Sequence, residues 1–142
     1  MSEMSINEDL LELRRKLAKL CPKGAWAKAG MACHDGEYQH RLLHGSYWLD
    51  YAKNTGGEAC SPEMQRTLSD GPDMEDETTV NGLLWLLPPW GVRLGKESFG
   101  YTVEVDKGWG IWSQVIGDTR EEAILSAVVK YKERELNLSE AV

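Results

Sequence analysis

YTVEVDKGWGIWSQVIGDTREEAILSAVVKY, residues 101–131, changes its hydrophobic period part-way along. From Tyr101 to Val105 every second residue is apolar, with Tyr101, Val103 and Val105 on one face, the period of a half-buried strand. Asp106-Lys107-Gly108 has turn composition. Gly110 to Ile116 continues as another strand, with Trp112 on one face and Ile111, Ser113 and Val115 on the other, and Gly117-Asp118 ends it. Beyond that point Ala123, Ile124, Ala127, Val128 and Tyr131 recur at the spacing of one helix face. Asp118 and Glu121 stand at capping-box spacing at its start. Upstream, Trp90-Gly91-Val92-Arg93-Leu94 supplies a further short strand. Connections this short force antiparallel pairing, and the sheet needs helices on one face to make a core. The expected fold is α+β: a three-stranded antiparallel sheet packed by a C-terminal helix and N-terminal helices.

Outward from that stretch the pattern becomes less regular. A helix is expected over residues 77–87, against Thr78, Thr79, Val80 and Gly82, with a buried strand as the competing assignment. Ser61-Pro62-Glu63 is a helix start: an N-cap, a proline in the first turn, then an acid. That helix must be short, because Ser69-Asp70-Gly71-Pro72-Asp73 follows and runs on through Glu75 and Asp76 as an acidic surface loop. Residues 37–53 read as a helix with Tyr38, Leu42, Leu49 and Ala52 near one face, weakened at Gly45-Ser46 by about 1 kcal/mol for the glycine. Asn54-Thr55-Gly56-Gly57 reads as a loop. Residues 5–20 form an amphipathic helix opened by a Ser5/Glu8 capping box, lined by Leu10, Leu13, Leu17 and Leu20, and stopped at Cys21-Pro22-Lys23-Gly24. The organisation expected is one domain over residues 1–142: the helix at 5–20, an irregular, insertion-like region at 21–75 and the β-sheet core at 76–135.

Composition narrows the function classes. The 142 residues suffice for one ordinary core, and 42% apolar content is globular. A net charge of −7 opposes binding to nucleic acid and anionic membranes. No apolar run approaches the ~18 residues of a membrane span. The first residues, Met-Ser-Glu-Met-Ser-Ile-Asn-Glu-Asp, are acidic and lack the basic start and apolar middle of a signal peptide. Three cysteines leave no complete disulfide framework. The expectation is a cytoplasmic protein.

The candidate chemistry is sparse. His40 and His44 are four apart, so on a helix they would share a face as zinc ligand pairs do, with Cys33 and Cys60 (and His34) available to complete a tetrahedral site. The spacings match no standard zinc motif, and buried cysteines with surface histidines are the competing reading. Cys33-His34-Asp35 carries the residue types of a nucleophilic site, but chain neighbours seldom point at one another. No phosphate-binding glycine motif follows a strand. Glu104, Asp106 and Asp118 read as a strand's solvent face, a turn and a cap. Of the six tryptophans, most are expected in the core. Trp109 and Trp112, flanking Gly110 near a strand end, are candidate binding residues, together with Asp73, Glu75 and Asp76 of the acidic loop.

The segments WLLPPWGVRL (85–94), YTVEV (101–105), WGIWSQVIG (109–117) and DTREEAILSAVVKY (118–131) follow a helix in an order that resembles the phage ABA-sandwich domain family, small tailed-phage proteins with a tryptophan-rich sheet between helices. The likeness covers residues 76–135, and the helix at 5–20 and Trp26 fit that family's leading segment, while residues 36–72 stand as an insertion. The resemblance implies a phage or prophage origin and carries no catalytic motif. Gly117-Asp118-Thr119-Arg120-Glu121-Glu122-Ala123 is also similar to HicB-type antitoxin domains. The Pro-Asp-x-Pro-Gly turn usual there is missing, and only Leu136 to Val142 follow the helix. The β-β-β-α order is shared with double-stranded-RNA-binding domains too, but Arg120-Glu121-Glu122 stands where those carry lysines that grip phosphate.

The functional expectation is a small non-enzymatic phage accessory protein that binds a host or phage protein in the host cytosol and inhibits a defence or regulatory system. A HicB-like domain binding a small toxin is the first alternative, and a zinc- or small-ligand-binding protein using His40, His44 and a cysteine is the second. An exposed strand edge would allow homodimerisation in each case.

Overall fold

A computed structural model describes residues 2–34, 38–87, 91–106 and 112–140. The fold is α+β, and the chain divides into two compact units, Met1–Gly82 and Leu83–Val142.

The first unit opens with α1 (Ser2–Leu20). Ser5 and Glu8 lie inside this helix, which corrects the expected capping box at its start. A short 3-10 turn (Pro22–Gly24) leads to a four-stranded antiparallel sheet of β1 (Ala32–His34), β2 (Gln39–His44), β3 (Tyr47–Asp50) and β4 (Thr55–Glu58), in that spatial order. This sheet corrects the expectation of a helix over residues 37–53 and of one three-stranded sheet for the whole chain. Buried positions in β2 and β3 alternate: His40, Leu42, Trp48 and Asp50 face inward. That is a period of two, and Gly45-Ser46, which weakened the helix reading, is the hairpin turn, with Gly45 at φ +52°. Asn54, at φ +53°, turns the chain from β3 into β4.

α2 (Pro62–Leu68) follows as expected, with the Ser61 hydroxyl accepting from the Met64 N–H at 3.1 Å and Pro62 in the first turn. The loop after α2 runs beneath α1. Gly71 sits there at φ +81°, where a Cβ would come within 2.3 Å of the Arg14 carbonyl oxygen. α3 (Glu77–Gly82) ends the unit. Trp26 and Trp48 pack against one another in the core with ring centroids 6.0 Å apart. Each removes about 200 Å² from water, roughly 5 kcal/mol of transfer free energy.

The second unit begins with a 3-10 turn (Leu83–Leu86), so the helix expected over 77–87 is an α-helical turn followed by a tighter one. Three antiparallel strands follow, β5 (Val92–Glu97), β6 (Gly100–Asp106) and β7 (Trp112–Gly117), in the order β5-β6-β7. α4 (Arg120–Glu140) lies over β6 and β7, burying Ala123, Ile124, Ala127 and Val128 as the stripe requires, with Leu125 and Val129 beside them. Its cap is Thr119, whose hydroxyl accepts from the Glu122 N–H at 3.1 Å, one residue later than the expected Asp118/Glu121 pair. Trp90, Lys107, Gly108, Trp109, Gly110 and Ile111, which enter the strand and turn expectations, lie outside the described residues. Among the described residues no helix is long and apolar enough to cross a membrane.

Candidate functional site

The acidic loop turns inward. Asp73 is only 6% exposed. Its carboxylate accepts from Gln39 Nε2 at 2.9 Å and from the Glu75 N–H at 3.0 Å, while its own N–H donates to the Ala32 carbonyl at 2.9 Å. Asp76 caps α3 by accepting from the Thr79 N–H at 3.1 Å, and both of its oxygens accept from Arg41, at 3.0 and 3.1 Å. Burial pushes the Asp76 carboxyl up, but the hydrogen bonds from Arg41 and Thr79 and the charge of Arg41 outweigh it and hold the group below the usual carboxylate value. Arg14 is lowered by burial, opposed by the charges of Asp73, Asp70, Cys33 and Glu75. Of the three acids proposed for binding, Glu75 alone is exposed.

The cysteines and histidines separate. Cys33 and His40 are direct cross-strand partners on β1 and β2, both buried. His44 is exposed and stacks on Tyr47 with ring centroids 5.4 Å apart, and Cys60 is exposed after β4. Because residues 39–44 form a strand, His40 and His44 are roughly 13 Å apart along it at ~3.3 Å per residue, so the helical spacing behind the zinc pairing does not hold. Among the described residues no three His, Cys, Asp or Glu side chains gather as a metal group. Cys33 and His34 are successive strand residues and so point to opposite faces, and Asp35 lies outside the described residues. Trp109 lies outside them as well, as does the side chain of Trp112.

What the first sheet does assemble is a polar row. Cys33, His40, Asp50 and Thr55 are direct partners in turn across its four strands. A second row on the same face runs Leu42, Trp48, Gly57. Over this face α2 brings Met64 and Thr67, with Ser61 at its start, and leaves a cleft of about 160 Å³. His40 and Asp50 are 8% and 7% exposed. The Asp50 carboxylate accepts from the N–H groups of Ala52 and Lys53 at 3.0 and 3.2 Å, which fixes the turn carrying Lys53. Lys53 also lines the cleft and sits 4.6 Å above the Tyr38 ring. A helix over residues 37–53 would scatter these side chains, so the strand pairing alone brings them together. The available signal was Gly45-Ser46 between two alternating segments, a hairpin pattern.

The second unit carries a different surface. α4 covers β6 and β7, and a groove of about 240 Å³ lies beside β5. Leu94, Val103, Ala123 and Ile124 give it apolar walls, and Leu94 is 47% exposed. Lys96 and Arg120 are the charged side chains lining it, among the described residues. β5 is an edge of the sheet, and Phe99, in the turn that follows it, is also exposed.

Comparison with protein-family models, with curated proteins and with solved structures gave no match.

Proposed function

We propose that this chain is a non-enzymatic binding protein that docks an extended segment of another protein along β5. The observation that carries the reading is the uncovered flank of the second sheet: α4 lies over β6 and β7, and Leu94 stands half-exposed over an apolar groove beside an edge strand. An edge strand offers unpaired N–H and C=O groups to a partner backbone, and a neighbouring pocket then selects its side chains. Lys96 and Arg120 favour a segment with an apolar anchor flanked by acids. In the phage setting that the sequence resemblance implies, that partner is a host regulatory or defence protein, and the chain is an accessory protein that inhibits it.

The test is a paired capture from host-cell lysate with the native chain and with Leu94→Lys. A protein retained by the native chain and lost with Leu94→Lys, while both chains keep the same circular dichroism and Tm, supports the reading. Identical protein sets on both baits overturn it.

A further inference from the structure

We propose that the cleft on the four-stranded sheet is a second, independent binding site, for a single neutral sugar ring or a polyol of that size. Three features of the site lead there. The first is volume. About 160 Å³ is several times the space one water requires, yet well below the roughly 300–1,000 Å³ of pockets for drug-sized ligands. A one-ring molecule suits it.

The second is the lining. Asp50 offers carboxylate lone pairs, of which the turn amides of Ala52 and Lys53 engage one oxygen. Lys53, over the Tyr38 ring, carries N–H donors, the Thr55 hydroxyl can donate or accept, and the Ser61 hydroxyl, which accepts from the Met64 N–H, has its proton to donate. Asp50 and Lys53 bring opposite charges to the lining, with His40 beside Asp50 in the same row, so the site does not present one sign of charge. A molecule with several hydroxyls, each both donor and acceptor, matches this alternation. The edge of Trp48, 2% exposed, and Met64, also buried, close the floor of the cleft with apolar atoms, against which the C–H groups of a ring can rest.

The third is Gly57. It lies opposite Trp48 on β4, and a Cβ built there meets nothing within 4 Å. The cleft is open at this point because the strand carries no side chain. Its φ lies outside the left-handed region, so a larger residue fits the backbone and would fill the space.

The test is a ¹H–¹⁵N NMR titration of the full chain with glucose, galactose and N-acetylglucosamine, and separately with glycine and inorganic phosphate. The amides of Gly56 and Gly57 and the Trp48 indole N–H are the reporters. The expected result is a saturable shift of these signals with at least one sugar, in the millimolar range typical of weak small-ligand sites, about 1–10 mM. Asp50→Asn keeps an oxygen for the turn amides and should weaken binding about tenfold or more. Gly57→Val should abolish binding with the remaining spectrum and the Tm unchanged. The proposal is overturned if no sugar gives a saturable shift by about 50 mM, if only glycine or phosphate shifts these signals, or if Gly57→Val binds like the native chain. None of these outcomes bears on the β5 groove, so the two sites stand or fall separately.

Discussion

Arg41 on β2 holds Asp76, thirty-five residues away, through two hydrogen bonds of 3.0 and 3.1 Å. The same guanidinium donates to the Gly30 carbonyl, and Asp76 also receives the hydroxyl of Thr79. Thr79 in turn accepts from the Ala32 N–H at 2.8 Å. One chain of polar contacts therefore ties the start of α3 to β1 and β2. It explains why an acidic loop that reads as a binding surface is part of the scaffold.

Replacing Asp76 separates the cap from the ion pair. Asp76→Ala removes both and should cost about 3 kcal/mol. Asp76→Asn keeps an acceptor for the Thr79 N–H and should cost about 1–2 kcal/mol. Urea unfolding of the two variants checks the order. A double-mutant cycle with Arg41→Ala should return a coupling of about 1 kcal/mol or more.

The same pair sets a response to acid. The folded Asp76 carboxyl lies below its ordinary value, so its contribution is complete above the unfolded pKa, near ~3.9. As pH falls below about 4 the unfolded chain takes up the proton first and the contribution shrinks. It is gone once pH passes below the folded value. The stability difference between the native chain and Asp76→Asn should therefore be constant from neutral pH down to about 5 and narrow below about 4. A difference that widens in acid would contradict the assignment.

Two glycines should respond in opposite ways to alanine. Gly71 sits at φ +81° with the Arg14 carbonyl in the way of a Cβ, so Gly71→Ala should cost about 2 kcal/mol or more. Gly57 has a permitted φ and open space, so Gly57→Ala should be neutral or stabilising by about 0.5 kcal/mol. Thermal unfolding of the two variants measures both.

Leu94 is half-exposed on an edge strand, and Leu94→Lys should change stability by no more than about 0.5 kcal/mol. A larger loss in urea unfolding would make Leu94 a core residue and remove the basis of the docking groove.

The three thiols should differ sharply in reactivity. Cys60 is exposed, while Cys21 and Cys33 are buried. Under native conditions one thiol should react quickly with a thiol-specific reagent, and the other two only as fast as the protein opens. Intact-mass measurement over time counts them.

Features that depend on near neighbours were legible in the sequence. Tyr101, Val103 and Val105 alternate because a strand has a period of two, and Ala123, Ile124, Ala127 and Val128 line α4 because a helix has a period near 3.6. Ser61 and Pro62 mark the start of α2 because the cap acts only three residues ahead. Short segments between those elements are ambiguous in period. Tyr38, Leu42, Leu49 and Ala52 can be fitted to a helix, yet the buried side chains are His40, Leu42, Trp48 and Asp50, two of them polar and so invisible to a hydrophobic pattern.

The amino-acid sequence by itself determined the α+β class, the three strands that precede α4 and the capped start of α2, because periodicity and capping are set within a few residues. Only the tertiary structure decided the rest. Gly56-Gly57-Glu58 is poor in strand preference, and the segment becomes β4 because β3 offers it a ladder of hydrogen bonds. Asp73 and Asp76 face inward because Gln39 and Arg41 meet them there. The cleft exists because His40, Asp50 and Thr55, on three successive strands, are brought into one row by strand register, and register between strands is a property of the folded sheet rather than of any one segment.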